Sequence, residues 1–414
     1  MRVYLVERTA RLRARSPWQT MLAAAIAVAI SFGTVSDASA RRAHRSTQSA
    51  VPAAHDERKS DLAGPYVAAL LLEPTSGTFI FEKNSHQPWP TASLTKMMVM
   101  LIVAEKLRDG SLKLTDQIAT SRNASRMGGS QAYLKEGETF TLEEMMQAIV
   151  VHSANDASAA VAEYIAGSTD AFVRLMNRRA QQLGMKDSRY YSVHGLPPSP
   201  GVEQDVSSAY DCAILGRELI QFPDIVRWSG IDTTPFRAGQ FELRNTNHLV
   251  RGYRGCDGLK TGFHAKAGFN VVATARRDGM RLIAVVLGSP RKRQNFKEAA
   301  QLLSMGFVDY QMKPVAKMGT EVAQSVQVAG GSVGAIKPVY GEDVAVFSRR
   351  GNENYPYKIA FKLPQSVAAP LSAGQRIGTA EIAIDGKQVA TAPLVAAADV
   401  AAKPSLMQRL LGRR

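Results

Sequence analysis

The chain has very little cysteine. Its 414 residues hold two, Cys212 and Cys256, which excludes a disulfide-stapled scaffold and leaves two packed thiols as the expectation. It has no His-Glu-x-x-His, no Cys-x-x-Cys and no phosphate-cradling glycine loop. Nothing in it therefore calls for a metal, a nucleotide or any other cofactor. Zinc-finger, helicase and RNA-binding patterns are missing too, so no nucleic-acid partner is expected. Acidic residues are scarce relative to basic ones, 36 Asp+Glu against 51 Lys+Arg, for a formal charge of +15. That excess favours anionic partners such as acidic phospholipid or an anionic wall polymer. The apolar run at 21–33 is too short for a comfortable membrane span.

What is present at the amino end reads as targeting rather than fold. Arg2, Arg8, Arg11, Arg13 and Arg15 precede the apolar run, and Ala38-Ser39-Ala40 supplies a small-residue cleavage site. Residues 1–40 are thus expected to be a signal peptide. They carry five Arg against Glu7 and Asp37, so +12 of the charge lies beyond them. Residues 41–62 are polar and basic and read as a flexible leader.

From residue 63 the pattern is globular. Residues 66–73 and 78–82 read as strands joined by a Pro74-Thr75-Ser76-Gly77 turn. Thr141-Leu142-Glu143-Glu144 is a capping box that opens a helix to about Val151. Helices are expected over 156–165, 169–183 and 207–221, with a glycine- and proline-containing loop at 190–205. Strands resume near Phe241. Leu259 to Gly262 reads as a strand, and 269–275 with 282–287 as a hairpin about Asp278-Gly279. Residues 295–307 form an amphipathic helix. Strands first and last with helices between them predict an α+β domain over 63–312, its antiparallel sheet covered by helices on both faces. Residues 313–395 show no helical period and read as a small all-β domain. In the tail, 396–414, Leu406, Met407, Leu410 and Leu411 share one face of a short basic helix, as suits a peripheral membrane contact.

Three elements carry chemistry. Ser93 opens an apolar helix expected to run to about Gly110, and Lys96 lies one turn on, on the same face. A hydroxyl at the positive helix end beside an amine has the arrangement of a nucleophile and its base. The spacing alone also suits an ordinary helix cap, and Ser289-Pro290-Arg291-Lys292 repeats it. Ser153-Ala154-Asn155 follows at a break between helices, and Ser121-Arg122-Asn123 repeats that spacing. Lys260-Thr261-Gly262 occurs once. The three together, in this order, resemble the Ser-x-x-Lys, Ser-x-Asn and Lys-Thr-Gly elements of the penicillin-binding enzymes.

The match widens around them. The Gly128-Gly129-Ser130 segment, His194-Gly195-Leu196-Pro197, Asn245-Thr246-Asn247 and Asp257-Gly258-Leu259-Lys260-Thr261-Gly262 resemble the serine D-alanyl-D-alanine carboxypeptidases, the low-molecular-mass penicillin-binding proteins. The resemblance covers about 64–307 and runs more loosely into the β domain and tail. It implies a β-lactamase/transpeptidase-like fold. It also implies a periplasmic enzyme, peripherally attached to the inner membrane, that removes the terminal D-alanine from peptidoglycan stem peptides and is inhibited by β-lactams. Ser93 would be the nucleophile and Lys96 its base, neutral in the working form. Ser153 would relay a proton to the leaving amine, and Asn155 would hold Lys96 and the substrate amide. Lys260 and Thr261, with Gly262 beside them, would take the substrate carboxylate. The resemblance makes the backbone N–H groups of Ser93 and Phe263 the oxyanion donors. Two positions depart from it: Phe263 stands where many members have histidine, and Asn295 where many have an arginine, for which Arg291 or Arg293 could substitute.

Of three rivals, the residues leave only the first undivided from the carboxypeptidase. An endopeptidase of the same fold would cut cross-links instead of chain ends. A β-lactamase would need a base for its deacylating water, and the chain has no Glu-x-x-Leu-Asn segment. A non-catalytic wall-binding protein has no use for Ser93, Lys96 and Lys260 together.

Overall fold

The computed structural model describes residue 62 and residues 64–351, 356–384 and 386–404. The signal-peptide and leader readings, and the helical tail beyond residue 404, fall outside the described residues.

The catalytic half is built on a five-stranded antiparallel sheet. Its strands are β1 (Ala68–Glu73), β2 (Thr78–Lys83), β3 (Cys256–His264), β4 (Gly268–Arg277) and β5 (Met280–Ser289), in the spatial order β2-β1-β5-β4-β3. Every residue of β1 is buried. The reason is a layer on each side, so that both faces of the strand are apolar. Ala69 and Leu71 face a cluster shared with Ala299, Leu302, Leu303 and Phe307. Ala68, Leu70 and Leu72 face a larger cluster built on helices.

The helices of that larger layer are α1 (Lys96–Arg108), α2 (Leu142–Val150), α3 (Asn155–Ala166), α4 (Thr169–Gln182) and α5 (Ala209–Leu219). Helix α6 (Gln294–Asp309) covers the other face. In α1, residues 96–104 are all buried, so this stretch has no solvent face and from Met97 to Ala104 its sequence is apolar around its whole girth. The capping box at the start of α2 is present: Glu144 N donates to Thr141 Oγ1 at 3.2 Å, and Thr141 N donates back to Glu144 Oε2 at 2.9 Å.

One boundary differs at the site. Ser93 is not the first α-helical residue; it lies in a 3-10 turn, Ala92–Thr95, that leads into α1. Ala92 is left-handed, φ +47°, and turns the chain too sharply for a regular first α-turn. The strand expected near Phe241 is present as Phe241–Arg244, but sequence patterning misses its partner strand Thr233–Phe236 and the short helix Pro223–Ser229. Both are too short for a period to register.

The second domain is all strand among its described residues. Strand β6 (Tyr310–Ala316) follows α6 directly and pairs with β7 (Val344–Arg349). Strands β8 (Tyr357–Lys362), β9 (Arg376–Ile384) and β10 (Lys387–Val395) form an antiparallel sheet with a short strand at Val339–Tyr340. Two apolar clusters fill this domain, one around Val346, Ile382 and Leu394 and one around Val326, Leu371 and Val400.

Candidate active site

Strand β3 is an edge strand, so one side of its backbone is unpaired within the sheet. That edge lies against the 3-10 turn and forms one wall of a cleft. Ser93, Ser130, Ser153, Thr246, Thr261, Gly262 and Phe263 line it, with Lys292, Arg293 and Asn295 on the α6 side. The fit of β3 to the turn depends on two glycines. A Cβ on Gly262 would sit 2.5 Å from Thr91 O and 3.0 Å from Ser93 N. A Cβ on Gly195 would sit 1.9 Å from Ala92 O. Only hydrogen fits at either place.

Lys96 Nζ is 3.0 Å from Ser93 Oγ and donates to His194 O at 2.7 Å. Burial holds the Lys96 amine well below the usual lysine range, and the charge of Lys260 lowers it further, against opposition from Asp205 and Asp156. Lys260 is itself buried, and that burial brings it down to about 7. The site therefore has two buried amines whose charges repel, a condition that favours the neutral form of Lys96. The His194 ring falls to about 4 through burial and the nearby Lys96, so it adds no competing charge there.

Of the other sequence-derived residues, Ser153, Thr261, Gly262 and Phe263 line the same cleft, and Asn155 reaches it through a backbone bond to cleft-lining Ser130. Ser153 is left-handed, φ +64°. Its Oγ is buried and has no hydrogen-bond partner among the described residues, as is true of Asn155 Oδ1. Both atoms are thus left with hydrogen-bonding capacity that a bound substrate or water can take up. Asn155 Nδ2 donates to Gly128 O at 2.7 Å, so its amide engages the Gly128-Gly129 segment, not the Lys96 amine that the resemblance suggested. Thr261 Oγ1 donates to Thr246 Oγ1 at 2.7 Å. Phe263 is 57% exposed, its ring stacked on Phe269 at 4.2 Å. Arg293 lines the cleft, whereas Arg291 lines a separate cavity with Lys297 and Glu298. Asn295 is buried and donates to Asn270 O at 3.3 Å. Cys256 and Cys212 are buried free thiols.

Sequence reasoning missed Asp205. Its carboxylate accepts from Thr95 Oγ1 (3.2 Å), Tyr191 N (2.6 Å), Ser192 N (2.9 Å) and Ser192 Oγ (2.5 Å). Burial raises it to about 6 against those bonds. It ties the 190–205 loop, and hence the His194 carbonyl, to the turn that carries Ser93. No local pattern announces this role, because its partners lie up to 110 residues away in sequence.

A hydroxyl beside a buried amine, in a cleft edged by an unpaired strand between a helical layer and an antiparallel sheet, defines a serine acyl-transfer hydrolase of the penicillin-binding class. The chain belongs to the D-alanyl-D-alanine carboxypeptidase family of serine peptidases: the model of that family, Peptidase S11, matches residues 58–291. The C-terminal domain of penicillin-binding protein 5 matches residues 310–402. Among curated relatives, D-alanyl-D-alanine carboxypeptidase DacF of Bacillus subtilis is 35% identical over 347 residues, 83% of this chain and 88% of that protein. Penicillin-binding protein 5 of Haemophilus influenzae has a solved structure that superposes with a TM-score of 0.61 at 30% identity, covering 81% of this chain and 97% of that one. A peptidoglycan synthesis regulatory factor (PBP3) of Streptococcus pneumoniae superposes with a TM-score of 0.70 at 28% identity, covering 81% of this chain and 99% of that one. A D-alanyl-D-alanine endopeptidase of Pseudomonas aeruginosa is similar over 57% of this chain, whereas the carboxypeptidases match across the β domain as well.

Proposed function

We propose that this carboxypeptidase acts on peptidoglycan stem pentapeptides through a Ser93 acyl-enzyme, and that β-lactams acylate the same oxygen. One observation carries the reading: Ser93 Oγ lies 3.0 Å from an amine that burial and a neighbouring cation drive toward its neutral form. A neutral Lys96 accepts the Ser93 proton as Oγ attacks the carbonyl carbon of the penultimate D-alanine. The oxyanion that develops is met by the backbone N–H groups of Ser93 and Phe263. Collapse breaks the peptide bond, and Ser153 passes the proton to the departing amine. Lys260 and Thr261 hold the carboxylate of the leaving D-alanine, with Gly262 letting the strand approach the Ser93 turn beside them, while Asn155 holds the amide on the acyl side. Water then attacks the ester, Lys96 again taking the proton, and the shortened peptide leaves.

Penicillin-binding protein D2 of Listeria monocytogenes has been solved with ampicillin bound, which supports β-lactam acylation here. The amino-terminal pattern supports export to the periplasm, and the basic, one-sided apolar tail supports attachment to the inner-membrane surface. Among the described residues no helix is long and apolar enough to cross a membrane. The test is Ser93→Ala, expected to lose both covalent labelling by a fluorescent penicillin and D-alanine release while keeping its fold. Covalent labelling that survives in this variant removes Ser93 from the role.

A further inference from the structure

We propose that Tyr133 is a specificity-determining wall of the cleft, its exposed ring packing on the acyl chain of the substrate, the peptide stretch that precedes the scissile bond. The proposal rests on the carboxypeptidase reading above. Tyr133 lies three residues beyond cleft-lining Ser130, so its Cα is within about 11 Å of that residue. The ring is 65% exposed. Its backbone is left-handed, φ +56°, a conformation that bulky side chains avoid.

The strain is held from both sides. The buried Asp156 carboxylate accepts from Ala132 N and Leu134 N, each at 3.0 Å. The Arg237 guanidinium donates to Tyr133 O at 3.0 Å and pairs with Glu138. Asp156 directly follows Asn155, whose own N–H donates to Ser130 O at 2.7 Å. The ring is thereby indexed to the residue that takes the substrate's acyl-side amide. It meets Phe241 edge-on at 5.7 Å, and Phe241 meets His152 edge-on at 5.5 Å.

Apart from its edge contact with Phe241, the ring on this strained backbone faces solvent. Such strain persists at binding sites, where the presented group meets a ligand. A flat ring with a polar tip suits the methylenes and peptide planes of an extended acyl chain. Asn155, the residue assigned to the acyl-side amide, bonds Ser130 and is followed by the Asp156 that fixes Ala132 and Leu134, which puts Tyr133 on the acyl side.

The experiment compares kcat/KM for D-alanine release from diacetyl-L-lysyl-D-alanyl-D-alanine and from the truncated acetyl-D-alanyl-D-alanine. In Tyr133→Ala the ratio of long to short substrate should fall about tenfold, and in Tyr133→Phe it should stay at the wild-type ratio. A ratio unchanged in Tyr133→Ala overturns the proposal, whether or not both rates fall together. Wild-type protein that releases D-alanine from neither substrate would instead sink the carboxypeptidase reading. The wall is then tested by acylation rates for benzylpenicillin relative to 6-aminopenicillanic acid, which lacks an acyl side chain: a fall in that ratio in Tyr133→Ala upholds it and an unchanged ratio overturns it.

Discussion

The positive charge of Lys260 works against protonation of Lys96. Both amines are buried, and after burial itself the Lys260 charge is the strongest influence lowering the Lys96 pKa. The proposed base is therefore biased toward its neutral form in part by the residue proposed for the substrate carboxylate.

A change at Lys260 should thus be read at Lys96. Lys260→Met keeps the bulk and the dry surroundings but removes the charge. With the repulsion gone, protonated Lys96 costs less, its pKa rises, and the acidic limb of the acylation profile moves to higher pH. The measurement is the rate of benzylpenicillin acylation against pH in both proteins. A limb that stays in place, or moves to lower pH, would show that Lys260 does not set the state of Lys96.

Gly262→Ala should disable the nucleophile without unfolding the domain. The added methyl meets Thr91 O at 2.5 Å and Ser93 N at 3.0 Å. Both are backbone atoms and cannot rotate away, so β3 or the turn must shift. Misplacement by about 1 Å at a reacting centre costs on the order of 10²-fold in rate. Acylation kinetics beside a thermal melt check this: near-normal acylation would mean that the turn yields freely.

Asp205→Ala should destabilise the catalytic domain by about 3 kcal/mol, since four donors lose their acceptor inside the protein. Urea unfolding reads this as a lower midpoint at unchanged slope. The effect depends on pH in a definite sense. The folded pKa of about 6 exceeds the unfolded value near ~3.9, so protonation of Asp205 favours the folded state. The difference between wild type and variant should widen as pH falls from about 6 to about 4. A difference that shrinks over that window contradicts the assignment.

Deleting residues 404–414 should move the protein from the membrane pellet to the soluble fraction. Leu406, Met407, Leu410 and Leu411 with flanking Arg409, Arg413 and Arg414 suit an acidic lipid surface. Fractionation of cells making the truncated chain decides it; unchanged pelleting places the anchor elsewhere.

Much of the molecule is legible in the chain itself because the interactions concerned are local. The capping box at Thr141 and Glu144, the hairpin at Asp278-Gly279, and the one-turn separation of Ser93 and Lys96 each span a few residues. At that range backbone geometry and side-chain type suffice. The three chemical elements could be recognised in order for the same reason, each being a short string. Tertiary structure decided how they meet. It brings Lys260 close enough to bias Lys96 from 164 positions away in sequence. It also seats Gly195 and Gly262 against the turn around Ser93, sets Asp205 beneath that turn, and clamps Tyr133 between Asp156 and Arg237. None of these contacts has a periodic or compositional trace. Each depends on which strand lies at the sheet edge and on how loops a hundred residues apart close over it, and that follows from the packing of the whole core.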